Sequence, residues 1–178
     1  MTAIGRSDPG VLELLDAAGT CPGVELHLAE AHDGGGHLDA LVVGGGPAGA
    51  TAANKLARPG ASLLVCANAT FPRFHIGESL LPTNIPLLQE LGVEEEIHSA
   101  GSVTKHGAEV ISADGEARTA IYFRQAMCPL PETTVQVERA TFDDILLRAA
   151  GKAGAEVREG TLVKSCVREG DYWKVLLE

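Results

Sequence analysis

The stretch "LDALVVGGGPAGATAANKLARPGASLLV", residues 38–65, constrains the fold of this chain more than any other. An apolar run ends in three glycines and a proline. An alanine-rich stretch follows, "RPG" closes it, and a second apolar run begins. This order predicts a strand, a glycine turn, a helix from about Pro47 to Ala57 and a second strand. That is a βαβ unit, which implies a parallel pair with a right-handed crossover. Gly44-x-Gly46-x-x-Gly49 occupies the turn between strand and helix. Gly44 permits the tight turn, and Gly46 lets backbone N–H groups approach a pyrophosphate. Gly49, with Ala53, allows the helix to pack close to the sheet. Pro47 and Ala48 open the helix, whose N-terminus offers partial positive charge to phosphates.

The charge pattern supports an anionic ligand there. The chain carries 14 Lys and Arg against 24 Asp and Glu, a net charge of -10. Yet no acid occurs between Asp39 and Glu78, while Lys55, Arg58 and Arg73 do. Lys55 and Arg58 suit the outer helix face. Arg73 follows the second strand, on the ligand side of such a sheet. The same fingerprint expects a carboxylate at the end of the second strand, to hold ribose hydroxyls. "LLVCANAT" offers Cys66, Ala67 and Asn68 there and no acid; Asn68 can donate or accept a hydrogen bond to a hydroxyl, more weakly than a carboxylate.

The acidic balance argues against nucleic-acid binding and against docking on anionic membranes. No run of about 18 apolar residues exists to span a bilayer. Cys21, Cys66, Cys128 and Cys166 form neither a C-x-x-C pair nor a metal-ligand spacing, so no metal is expected and a reducing cytoplasm fits. Residues 1–37 read as an acidic leader, with "DPGVLELLDAAG" a short helix, "VELHLAEA" a strand and "HDGGGH" a flexible joint.

Downstream, "TNIPLLQELG" predicts a helix capped by Thr83 or Asn84, with Leu87, Leu88 and Leu91 on one face and Gly92 ending it. "KHGAEVIS", "ADGE" and "ARTAIYF" predict a hairpin around Asp114-Gly115. "VQVE" is a short strand. In "TFDDILLRAAGKAG" Thr141 caps a helix, Asp144 closes the capping box, and Phe142, Ile145, Leu146 and Ala149 form its apolar stripe. Asp143 and Asp144 are expected to serve that helix N-terminus, and His75 and His106 to be packing or surface histidines. Three strands follow, in "AEVRE", "LVKSCV" and "YWKVLLE". The last stops within an apolar run, so the chain reads as the front part of a longer protein.

The blocks "VVGGGPAGATAANKLA" and "FPRFHIGESLLP", followed by "TKHGAEV" and "TVQVERATFDDILLRAA", resemble the flavin-dependent halogenases. These belong with the FAD-dependent monooxygenases and the geranylgeranyl-reductase-like oxidoreductases. The resemblance covers about Leu38 to Val167. It implies an α/β fold: a Rossmann-like FAD-binding domain over residues 38–178, incomplete, with a parallel sheet plus an antiparallel hairpin.

The resemblance implies the following roles. Gly44, Gly46, Pro47, Ala48 and Gly49 would hold FAD, with Asn68 near the ribose. Arg73 and Arg139 would face its phosphates or ribose. Gly77, Glu78, Ser79 and Leu80 would wrap the flavin region. Lys105 matches the catalytic lysine, which captures or hydrogen-bonds hypohalous acid and passes halogen to an electron-rich ring. An ammonium suits this as a donor and potential nucleophile. The substrate would be a small or carrier-bound aromatic, and a separate reductase would supply reduced flavin. The family's W-x-W-x-I-P segment and second FAD motif would lie beyond Glu178. The alternatives are a flavin monooxygenase, a geranylgeranyl-reductase-like enzyme, or a nucleotide-binding fragment without catalysis.

Overall fold

A computed structural model describes residues 2–4, 26–27, 31–32, 37–57, 61–126, 130–170 and 172–178. The expected leader helix, the centre of the Gly-rich joint, Arg58, Cys21 and Cys128 lie outside the described residues. The chain divides into two units, Met1–Arg73 with Asp143–Glu178, and Phe74–Phe142.

The first unit is built on two strands, β5 (Ala40–Val43) and β6 (Leu63–Ala67). Every residue of β6 is buried, the pattern of a strand covered on both faces. The two pair in parallel, Ala40 opposite Leu63 and Val43 opposite Cys66. Between them runs α1 (Pro47–Ala57), the span its composition predicts. Pro47 is its first residue, where a missing N–H breaks no helical bond. Ala50, Ala53, Leu56 and Ala57 form its buried side. A fourth element, β11 (Glu156–Glu159), adds to β6 in parallel and brings Glu159 opposite Ala67.

On the far edge, β1 (Thr2–Ile4) runs antiparallel to β5, and β2 (Leu26–His27) lies beside β1. The sheet order is β11-β6-β5-β1-β2. A second sheet joins β12 (Val163–Glu169) and β13 (Tyr172–Leu177) to β3 (Ala31–His32) and β4 (His37–Leu38), in the order β12-β13-β3-β4. The expected run from Leu38 is therefore broken at Asp39, whose carboxylate accepts the Ser62 N–H at 2.9 Å.

Helix α4 (Arg139–Lys152) carries the chain from the second unit back into the first. Its predicted stripe of Phe142, Ile145, Leu146 and Ala149 is buried, together with Leu147 and Ala150. Its predicted cap is not. The helix begins at Arg139, the Glu138 carbonyl accepts the Phe142 N–H, and Thr141 sits inside the first turn. Asp143 and Asp144 consequently lie inside the helix, past its first turn, rather than at its N-terminus.

The second unit opens with α2 (Asn84–Leu91), whose buried residues are Ile85, Leu88 and Leu91 rather than the predicted face with Leu87. Thr83 makes no side-chain cap; the Asn84 Oδ1 accepts the Leu81 N–H instead. Gly92 ends the helix in the left-handed conformation, φ +70°. After α3 (Glu94–Ser99) comes β7 (Val103–Lys105), which pairs antiparallel with β10 (Thr134–Gln136). The predicted hairpin is present as β8 (Gly107–Ile111) and β9 (Arg118–Tyr122), turning at Asp114-Gly115. Lys105 precedes that hairpin and belongs to the other ladder.

Candidate FAD site

In the first unit the glycine turn is closed by its own backbone. The Gly44 N–H bonds the Cys66 carbonyl at 2.8 Å, which fixes the turn to the end of β6. Gly44 has φ +105°, a conformation that costs glycine nothing. A Cβ on Gly49 would lie 1.9 Å from the Gly44 carbonyl oxygen, so no side chain fits there without moving backbone. One on Gly45 would meet the Ala67 Cβ at 2.9 Å and Leu147 at 3.3 Å. The result is a tight loop that delivers backbone to the start of α1, where the first N–H groups have no helical acceptors. Pro47 and Ala48 form that start.

Arg73 stands at this loop. Its Nη2 is 3.3 Å from where a Gly46 Cβ would be. The same nitrogen pairs with Asp143 Oδ2 at 3.2 Å, and Asp143 is fully buried. The guanidinium also lies 5.0 Å from the centroid of the buried Phe71 ring. Behind it, the Phe71 N–H donates to Glu159 at 2.5 Å, and Arg148 pairs with both Glu159 and Asp144. Asp143 and Glu159 were missed by sequence reasoning. Their partners lie far away along the chain, and such pairs leave no local spacing to read.

Asn68 is exposed directly after β6, and Ala67 is buried, so the strand ends without a carboxylate of its own. Cys66 is buried beside it, and burial pushes its thiol up from the ordinary value.

The second unit brings together another set of the named residues. Glu78–Leu80 pair with β10 on the edge that β7 leaves free: the Val137 N–H bonds the Glu78 carbonyl and the Leu80 N–H bonds the Val135 carbonyl. Lys105 therefore sits on one side of β10 and Ser79 on the other. The lysine reaches across, and its Nζ donates to Ser79 Oγ at 2.5 Å. The ammonium lies 5.7 Å from the Phe123 ring centroid. Opposite Lys105 in the ladder is Thr134, buried, with no hydrogen-bond partner for its hydroxyl. Arg139 donates to the Ile76 carbonyl at 2.8 Å and lies beside Gly77, whose φ is +92°. Glu78 accepts from Gln136 at 3.5 Å. His75 and His106 are exposed, and among the described residues no cluster of His, Cys, Asp or Glu could hold a metal.

Residues 37–175 match the family of the FAD binding domain. The chain belongs to that family. A flavin-dependent halogenase of Armillaria mellea is 42% identical over 126 residues, 69% of this chain and 24% of the relative. The 1H-pyrrole-2-carbonyl-[peptidyl-carrier protein] chlorinase of Pseudomonas fluorescens is 38% identical over 138 residues, 68% of this chain and 31% of the relative. Among solved structures, the myxobacterial chondrochloren halogenase CndH superposes with a TM-score of 0.67 at 36% identity, over 73% of this chain and 30% of that one. The chain thus spans about a quarter to a third of the relatives it matches.

The cradle of this FAD-binding domain fits a pyrophosphate. Gly44, Gly45 and Gly49 are required there by geometry rather than by composition alone, and a cation stands beside Gly46. Gly44, Gly46, Pro47, Ala48 and Gly49 are the residues that present this loop.

Proposed function

We propose that this chain is the FAD-binding part of a flavin-dependent halogenase that acts on an electron-rich aromatic, free or carrier-bound. The observation that carries the reading is the placement of Lys105. Its ammonium is pinned between Ser79 and Phe123, within a chain related to halogenases. A strand-end lysine without such partners would trail into solvent. Reduced FAD, when bound, would supply the two electrons that bring O2 to the peroxide level, and that oxygen would be the oxidant that takes halide to hypohalous acid. Lys105 holds the resulting hypohalous acid by a hydrogen bond and orients its halogen toward the substrate ring. Ser79 competes for the same ammonium and keeps it in place until then.

Arg73 neutralises phosphate at the cradle. Gly77, Glu78 and Ser79 keep the flavin-side roles, and Arg139 the phosphate or ribose role, that the resemblance implies. Residues 1–37 are a leader and 38–178 the FAD-binding part. A separate flavin reductase supplies reduced cofactor, and the cytoplasm is the place of action, in keeping with four scattered cysteines. Among the described residues no helix is long and apolar enough to cross a membrane.

The test is turnover by the full-length protein with FAD, a reductase, bromide or chloride, and a phenolic or carrier-bound aromatic. Halogenated product is expected, with Lys105→Ala abolishing it while FAD stays bound. Hydroxylated product without halogen would favour the monooxygenase reading. A second reading, a non-catalytic remnant of a nucleotide-binding domain, has Ala67 in its favour, and a chain unable to retain FAD would support it.

A further inference from the structure

Beside the cradle, a set of charged groups ties three elements of the first unit together. Glu159 ends β11, in register with Ala67 at the end of β6. One carboxylate oxygen accepts the Phe71 N–H and the other holds Arg148 Nη1, each at 2.5 Å. Arg148 Nη2 continues to Asp144 at 3.0 Å. From α4, then, Arg148 and Asp144 face this carboxylate. On β11, Glu156 and Arg158 pair with each other and alternate to the other face of the strand from Glu159, while the segment after β6 contributes Arg73.

Burial favours the protonated form of Glu159, but the Arg148 pair and the Phe71 N–H outweigh it and hold the carboxyl below its usual value. The group is a charged anchor, and the peptide it anchors is the one whose side chain lies under Arg73. With Ala67 at the end of β6, the parallel pair of strands carries its terminal carboxylate on β11.

We propose that Glu159, held by Arg148, is a positioning residue for the cofactor. It fixes Phe71, and so sets the Arg73 guanidinium against Gly46, where the FAD phosphates bind. This rests on the cradle being the phosphate site. The alternative role is structural, a clasp between β11 and the following loop that does nothing for the ligand. The two differ in whether Glu159 acts through Arg73.

The whole chain is titrated with FAD, followed by flavin fluorescence, as wild type, Glu159→Gln, Arg73→Gln and the double variant. Glu159→Gln is expected to weaken binding about tenfold in the wild-type background and less than about twofold once Arg73 is gone. Arg148→Met, which leaves Glu159 intact, is expected to repeat the loss. Unchanged affinity, or equal losses in both backgrounds, would overturn the proposal. Trypsin cleavage after Arg73, measured without FAD, separates this from failure of the cradle reading. Glu159→Gln should speed that cut severalfold and leave other sites unchanged. Should the wild type bind no FAD, the cofactor role falls, and the cleavage rate alone decides whether the anchor exists.

Discussion

Arg73 and Asp143 form an ion pair at 3.2 Å in which the carboxylate is fully buried and the guanidinium is partly open to solvent. The pair joins the loop after β6 to α4. It is asymmetric, because water can still reach the arginine but not the aspartate. Removing the arginine takes a cation away from a buried carboxylate. Arg73→Met is therefore expected to destabilise the fold by about 3 kcal/mol. Urea unfolding measures this, and a loss within the error of the method would show that Asp143 is satisfied without Arg73.

Two glycines separate backbone necessity from helix propensity. A Cβ at Gly49 would collide with the Gly44 carbonyl oxygen at 1.9 Å, whereas one at Gly151, inside α4, meets only Val157 Cγ2 at 3.8 Å. Gly49→Ala should disrupt the turn and lower the melting temperature. Gly151→Ala should raise stability by about 0.5–1 kcal/mol. Thermal unfolding of both variants checks the contrast.

Glu159 gives the fold a pH dependence of defined sign. Its carboxyl is held below the ordinary 4.5, so the folded state prefers it ionised. The stabilisation is present above that ordinary value and is lost as pH falls through the lower folded value. The stability difference between wild type and Glu159→Gln should therefore shrink in acid, below about pH 4.5, and stay constant from there to neutrality. Denaturation midpoints of the two proteins across that range provide the measurement.

Cys66 tests the core beneath the cradle. The thiol is buried at the end of β6, and burial raises it above its ordinary value. It should resist alkylation by iodoacetamide at pH 8 in the folded chain and react fully in denaturant. Peptide mass spectrometry reads the modification at this residue.

Local pattern made the strand–turn–helix–strand unit legible, including the limits of α1, the left-handed Gly92 and the Asp114-Gly115 turn. Each depends on residues within a few positions of one another. The start of α4 misled, because Thr141-x-x-Asp144 satisfies the capping spacing while the backbone has already turned helical at Arg139. Pairings across the chain were not legible. Phe71 meets Glu159 over 88 residues, and Lys105 meets Ser79 across an intervening strand. Arg73 and Lys105 were named as site residues from sequence, but what holds them was not.

Direct titration of the chain with FAD, comparing wild type with Gly49→Ala, tests the central claim that the Gly44–Gly49 backbone holds the cofactor's phosphates. The account predicts saturable quenching of flavin fluorescence in the wild type and its loss in Gly49→Ala. Equal binding by the two proteins would contradict it.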